Sequence, residues 1–229
     1  MLASVHVADV GSRRCLSASP GRLAPGSVTG LRWARPYIAQ PLRRGMLPSP
    51  GIGRLALLAF WDDERALDAF EAEHPFAARF RGGWRVRMEP LRSFGSWPGL
   101  DPDLSHRRRL DGSGPAVVLT LGRLRLPQAV RFLRTSAKAE AAALTAPGLI
   151  WATGLARPPY VATCSVWSGE DAITAYAFDG EGAHPGAITA DRGKPFHHQE
   201  AFIRFRPIAE SGSLDGTNPL AAASVLPAR

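Results

Sequence analysis

One passage of this chain occurs twice. Residues 86–102, VRMEPLRSFGSWPGLDP, are echoed 117 positions later by residues 203–219, IRFRPIAESGSLDGTNP. Arg87, Pro90, Gly95, Ser96, Gly99 and Pro102 meet Arg204, Pro207, Gly212, Ser213, Gly216 and Pro219. Apolar residues also meet apolar ones, as with Val86 and Ile203, Met88 and Phe205, Leu91 and Ile208. Upstream, GLRWA at Gly30 returns as GLIWA at Gly148, and FWDDERALDAF at Phe60 returns as VWSGEDAITAY at Val166. A period this long is not that of a solenoid. It is the size of a small α+β domain. Two homologous domains are therefore expected: residues 1–104, a basic linker at 105–114, residues 115–220, and a loose tail at 221–229. The second copy carries an added segment, FDGEGAHPGAITADRGKPFHH, which holds three of the six histidines.

Periodicity supplies the elements. Residues 4–10 alternate as a strand does. Residues 31–39 predict a second strand, with Pro36 marking an edge or a bend. Residues 53–61 form a near-continuous apolar run, the pattern of a buried strand. Asp62 or Asp63 then caps a helix reaching about Arg81, broken or kinked at Pro75. Residues 84–91 alternate again. In the second copy, strands are expected at 116–124, 149–155, 160–167 and 199–208. The strongest helix runs from Pro127 to about Leu144, with Val130, Leu133, Ala137, Ala141 and Leu144 as its apolar positions. A further helix opens near Gly169 and Glu170, and a short one is expected at 185–191. Residues 11–28 are too rich in Gly, Ser, Pro and Arg for more than a short helix. Each copy thus reads β-α-β-β-α-β, the ferredoxin-like split unit, and the chain is α+β. Such a sheet has one bare face. Two copies are expected to place sheet against sheet, with a ligand cavity between them.

The chain is 45% hydrophobic and 21% charged, with a net charge of +8 drawn mainly from arginine. That charge suits an anionic ligand or nucleic acid. The dense basic run, His106 to Arg109, falls in the linker, and no nucleic-acid motif accompanies it, so nucleic acid is not an expected partner. Cys15 and Cys164 are too few for a disulfide framework or a cysteine-based zinc site. No apolar run approaches the roughly 20 residues that span a bilayer. No signal peptide is evident, and a reducing, cytoplasmic location fits. A Gly-rich dinucleotide fingerprint, a P-loop and a nucleophile elbow are all lacking.

Certain motifs resemble those of a known family. These are FGSWPG at 94–99, GAHPGAI at 182–188 and AFIRFRPIAESGSLDGTNPL at 201–220, together with the Trp-ended strand that precedes an acidic helix start. They are similar to the spheroidene monooxygenase (acyclic carotenoid ketolase) family, over residues 30 to 220 or so. The resemblance implies a dimeric α+β barrel, a b-type haem and oxygen chemistry on an organic substrate. The chain departs from the pattern at residues 11–29, where a full helix is expected. It departs again at Ser213-Leu214, which replaces a second Ser-Trp pair. Both departures bear on the shape of the cavity.

A haem needs an axial ligand, commonly a neutral imidazole. His6, on the first strand, and His106, in the linker, are poorly set for this. His74 and His184 each precede a proline, which places them at helix edges. His184, in the added segment, is preferred as the iron ligand; its alternative role is a water-exposed helix cap. His197 and His198 compete with it, and as adjacent residues of an extended segment only one of them can face a given side. With Glu200 they form at best a weak non-haem metal pattern. Arginine forks bind carboxylates in bidentate fashion. Arg204, its repeat counterpart Arg87, and Arg192 are therefore the candidates for the haem propionates, with Lys194 nearby; taken singly, each also reads as a solvent-facing side chain. Trp33, Trp61, Trp97, Trp151 and Trp167 recur at matched positions, where core packing accounts for Trp61 and Trp167. The leading expectation is a haem-dependent, monooxygenase-like oxidoreductase acting on a small or lipophilic molecule, with an external electron donor or a peroxide. A cofactor-free enzyme of the same fold and a non-catalytic small-molecule-binding module are the alternatives. Homo-oligomerisation stays open.

Overall fold

A computed structural model describes residues 1–18, 23, 26–42, 52–104, 114–178 and 194–221. The first half contains β1 (Leu2–Asp9), α1 (Ser12–Leu16), β2 (Leu31–Pro41), β3 (Arg54–Trp61), α2 (Glu64–Glu73), a 3-10 turn (Ala77–Phe80) and β4 (Trp84–Gly95). The second contains β5 (Ala116–Leu124), a 3-10 turn (Leu126–Gln128), α3 (Ala129–Ala143), β6 (Leu149–Arg157), β7 (Tyr160–Trp167), α4 (Glu170–Phe178) and β8 (His197–Ser211). All eight strands pair antiparallel, and they close into a single barrel in the order β1-β3-β2-β6-β7-β5-β8-β4. Two seams join the halves. The β4–β8 seam runs from Arg85–Ser211 to Gly95–Ala201. The β2–β6 seam is short, joining only residues 38–41 to 153–156. Pro36 lies outside that short seam, and its carbonyl accepts a hydrogen bond from Arg157 Nε at 2.9 Å. On its other side Pro36 stands opposite Leu57 of β3, and the irregularity of β2 falls earlier, between Leu31 and Trp33.

Local chemistry sets the element ends. Asp63 caps α2 as its sequence predicts, its carboxylate accepting the Ala66 N–H at 3.0 Å. The helix stops at His74, before Pro75, and the chain resumes as the 3-10 turn. Gly30 and Gly148 open β2 and β6 with φ of 70° and 81°. A Cβ on either would lie 2.4 Å from Ala66 Cβ or 2.6 Å from Ala172 Cβ, so both positions need glycine twice over.

Here the structure corrects one expectation. The barrel interior is filled rather than hollow. Val5, Leu58, Phe60, Trp84, Val86 and Met88 from the first half interdigitate with Val117, Leu119, Cys164, Val166, Ile203 and Phe205 from the second, and all are buried. An eight-stranded barrel encloses little more than the volume of its own inward side chains. The repeated GS endings add to the filling. Trp97 packs edge-on against Trp33, with ring centroids 5.8 Å apart, and Leu214 joins the same core from the other ending.

On α3, the apolar positions Val130, Leu133 and Leu144 are exposed. The face turned to the sheet carries Phe132, which meets His197 and Phe196, and Ala139, whose carbonyl accepts the Tyr176 hydroxyl. Ala143 is the one α3 residue that is fully buried.

Candidate functional site

The outer faces of the two half-barrels differ, and that difference locates the site. On the first half, Leu55, Leu57 and Ala59 of β3 point outward and are sealed beneath Leu67, Phe70 and Phe80. On the second half, the positions 106 residues later are Val161, Thr163 and Ser165 of β7, and all three are half-buried. Val118 and Thr120 of β5 continue this floor and are also half-buried. The side chains are small and partly polar, and no Leu–Phe layer lies over them among the described residues. An open cleft of about 480 Å³ lies in the same helix layer, lined by Ala146, Pro147, Gly148, Asp171, Ala172 and Tyr176 among others. The Tyr176 hydroxyl has its pKa pushed up to about 12, first by burial and then by Glu140.

Two arginines border this face. Arg204 is buried and forms a hydrogen-bonded ion pair with Glu170, the first residue of α4. Arg92 is its cross-strand neighbour in the β4–β8 seam and is buried as well. Burial holds the Arg204 pKa below the usual arginine range, with Glu170 acting against it. Arg92 is lowered to about 10, by burial first and by the Arg204 charge second, again with Glu170 opposing. The register of this seam brings two cations and one carboxylate together under a helix start.

The candidate histidines divide by location. His197 packs its ring over Gly122 on the outer face of β5, edge-on to Phe132 at 5.3 Å, with Nδ1 3.0 Å from Glu200 Oε2. His198, the next residue, is exposed. His74 ends α2 in the first half; its ring stacks on Phe70 at 5.0 Å and its Nδ1 accepts the Phe76 N–H. His184 and Arg192 lie outside the described residues, as does the expected short helix at 185–191. Arg87 lies on the first half, bound to Glu64 at 3.0 Å, Asp68 at 2.7 Å and Glu71 at 2.5 Å. Of the sequence-chosen residues, the second half therefore brings Arg204 and His197 to one outer face, while Arg87 and His74 are held by α2 and its neighbours. None of the described histidines belongs to the packed barrel core. Nor do the described residues contain a group of three or more His, Cys, Asp or Glu side chains able to hold a metal ion.

Sequence reasoning overlooked Arg92 and Glu170. Glu170 had a signal: it stands 106 residues after Glu64, which binds Arg87, as Arg204 stands 117 after Arg87. Arg92 had none, because its closeness to Arg204 depends on a bulge between Pro90 and Arg92 that sets the register.

No protein-family model matches the chain. Among curated proteins, spheroidene monooxygenase of Rhodobacter capsulatus is 27% identical over 185 residues, covering 78% of this chain and 76% of that protein. Spheroidene monooxygenase of Cereibacter sphaeroides is 24% identical over 186 residues, and there the match spans only 57% of the relative's length. Among solved structures, an aldoxime dehydratase in complex with butyraldoxime shares the fold with a TM-score of 0.54 at 8% identity, covering 90% of this chain and 79% of that one. No described helix is long and apolar enough to cross a membrane. Over more than three quarters of its length, the chain is similar in sequence to the spheroidene monooxygenases.

Proposed function

We propose that this protein is a haem-dependent oxidoreductase of the monooxygenase type, with haem b lodged between the outer sheet face of the second half and its helices. The observation that carries the reading is the exchange of Leu55, Leu57 and Ala59 for Val161, Thr163 and Ser165 at matching positions, which leaves the second face less tightly covered among the described residues, with Trp167, Ile173 and Tyr176 packed at its Val118 end. A flat macrocycle would need a slot lined by small side chains, cations for its propionates and an imidazole for its iron. The second half offers each of these. Arg204 and Arg92, with Arg192, would take the propionates, and Arg87 stays with α2. His184 is the preferred iron ligand, with His197 next, then His198 and His74. Both halves run β-α-β-β-α-β with the strand order fourth-first-third-second. This supports reading them as two fused ferredoxin-like repeats that form, within one chain, the barrel of a dimeric α+β protein.

When bound, haem supplies the iron centre at which an oxygen donor is activated. The chain's own residues then have three tasks. Phe132 and Trp167 keep water from the apolar flank. Thr163 and Ser165 offer hydroxyls to a polar substrate atom. The Arg204–Glu170 pair fixes the start of α4 against the sheet. The substrate is a small or lipophilic organic molecule, and the electrons come from an external donor or a peroxide. The butyraldoxime bound by the structural neighbour is a small aliphatic molecule of that size class.

Haemin titration of the purified protein tests this reading. A Soret band that saturates at one equivalent, and that shifts or collapses in His184→Ala but not in His74→Ala, is the expected result. Failure to take up haemin rejects it. Substrate turnover by haem-free protein would instead favour a cofactor-free enzyme on the same fold.

A further inference from the structure

We propose that the outer face of α3 docks onto an anionic lipid bilayer. The inference is independent of the cofactor reading. Leu126, Val130, Leu133 and Leu144 are exposed at 62%, 62%, 48% and 42%. On a helix of 3.6 residues per turn, Val130, Leu133, Ala137, Ala141 and Leu144 follow one another at three- and four-residue steps and make one stripe. The 3-10 turn places Leu126 just ahead of it. The stripe faces away from the sheet, since Phe132, Ala139 and Ala143 occupy the opposite side.

Charge selects the partner. Residues 123–144 contain five basic side chains and a single acid, Glu140. Arg123, Arg125, Arg134 and Lys138 are exposed beside the apolar stripe. Glu140 is partly buried and accepts the Ser136 hydroxyl at 3.1 Å. An apolar stripe flanked by cations is the pattern of a helix lying in the plane of a membrane interface, apolar residues in the acyl boundary and basic groups at anionic headgroups. Neutral headgroups would leave the four exposed cations without complementary charge. A self-complementary contact between two copies would set these like charges against one another. The stripe is too short to span a bilayer, so the contact is peripheral.

The test is co-sedimentation with extruded vesicles of phosphatidylcholine alone and of phosphatidylcholine with 30% phosphatidylglycerol. The expected result is binding to the anionic vesicles, falling about tenfold or more in Val130→Glu/Leu133→Glu. A fall of similar size is expected in Arg134→Glu/Lys138→Glu, together with loss of the preference for anionic lipid. These side chains are exposed, and circular dichroism checks that each variant is folded. Equal sedimentation of wild type and both variants overturns the proposal. So does a stable dimer in light scattering that dissociates in Val130→Glu/Leu133→Glu, because a second copy would then cover the stripe.

Discussion

Arg204 and Glu170 form a buried ion pair at the positions that correspond to the more exposed pair Arg87 and Glu64 in the first half. The side chains of Arg204 and Glu170 are 8% and 10% exposed, whereas Glu64 is 60% exposed. The same chemical pairing thus has different consequences on the two flanks. A buried pair is weak evidence of net stability, yet it is costly to break from one side only.

Arg204→Met should therefore destabilise the protein by about 3–5 kcal/mol, because Glu170 is left buried without its cation. Arg204→Met/Glu170→Met should recover only part of that loss, because the buried Arg92 then loses the opposing charge of Glu170. Arg87→Met should cost less, about 1–3 kcal/mol, since Glu64 and Asp68 can turn to water and the buried Glu71 keeps Arg85 at 3.8 Å. Urea denaturation of the four proteins measures this ordering.

The two flanks should also respond oppositely to volume. Leu57→Ala removes a fully buried side chain and should cost about 2–5 kcal/mol. Thr163→Leu, which writes the first-half residue into the second, fills open space and should cost less than about 1 kcal/mol. In thermal unfolding the second variant should stay near wild type. It should nevertheless take up little haemin, which separates occupation of this sheet face from loss of fold.

His6 gives the fold an acid sensitivity. It is buried on the outer face of β1 between Phe70 and Phe80 and lies 3.2 Å from Ser4 Oγ. Burial first, and then the charges of Arg85 and Arg87, lowers its pKa to about 3, so His6 is neutral at pH 7 and its approach to Glu71 at 3.8 Å is not an ion pair. As pH falls from the unfolded value of about 6.5 towards 3, the unfolded chain takes a proton that the folded chain refuses. This contribution to stability is complete above pH 6.5 and is lost on acidification. Between pH 7 and pH 5 the loss should be about 2 kcal/mol in wild type, and His6→Gln should remove that slope. Urea midpoints at the two pH values decide the matter.

Gly122 holds His197 in place by having no side chain. A Cβ there would lie 2.5 Å from His197 Cδ2. Gly122→Ala should displace the ring from Phe132 and Glu200 at a cost of about 1–3 kcal/mol. The displacement should be visible as a shift of the His197 imidazole resonances, while His74 is unmoved. An unchanged His197 signal would show that the ring does not rest on this glycine.

Much of the architecture was legible in the sequence, because the duplicated passages fixed where strands and helix starts recur. Asp63 as a cap, Pro75 as a break and the matched glycines at 30 and 148 each act within a few residues, which is the range a sequence reports well. The filled barrel was not legible. It depends on how inward residues of β1 and β3 mesh with those of β5 and β8, and neither copy shows this alone. The orientation of α3 also escaped notice. Its apolar stripe is real, but Phe132 and Ala139 set which way the helix turns. His197 was noticed as a residue, while its seat on Gly122 came only from the β5–β8 register.

The β4–β8 seam has one more effect. A ring of staves joined without a gap has no slit between neighbours, so under the proposed function a guest would lie along a flank, beneath the helices. With one flank sealed and the other loosely roofed, later changes in what the molecule accepts can accumulate on a single side, leaving the shared ring untouched.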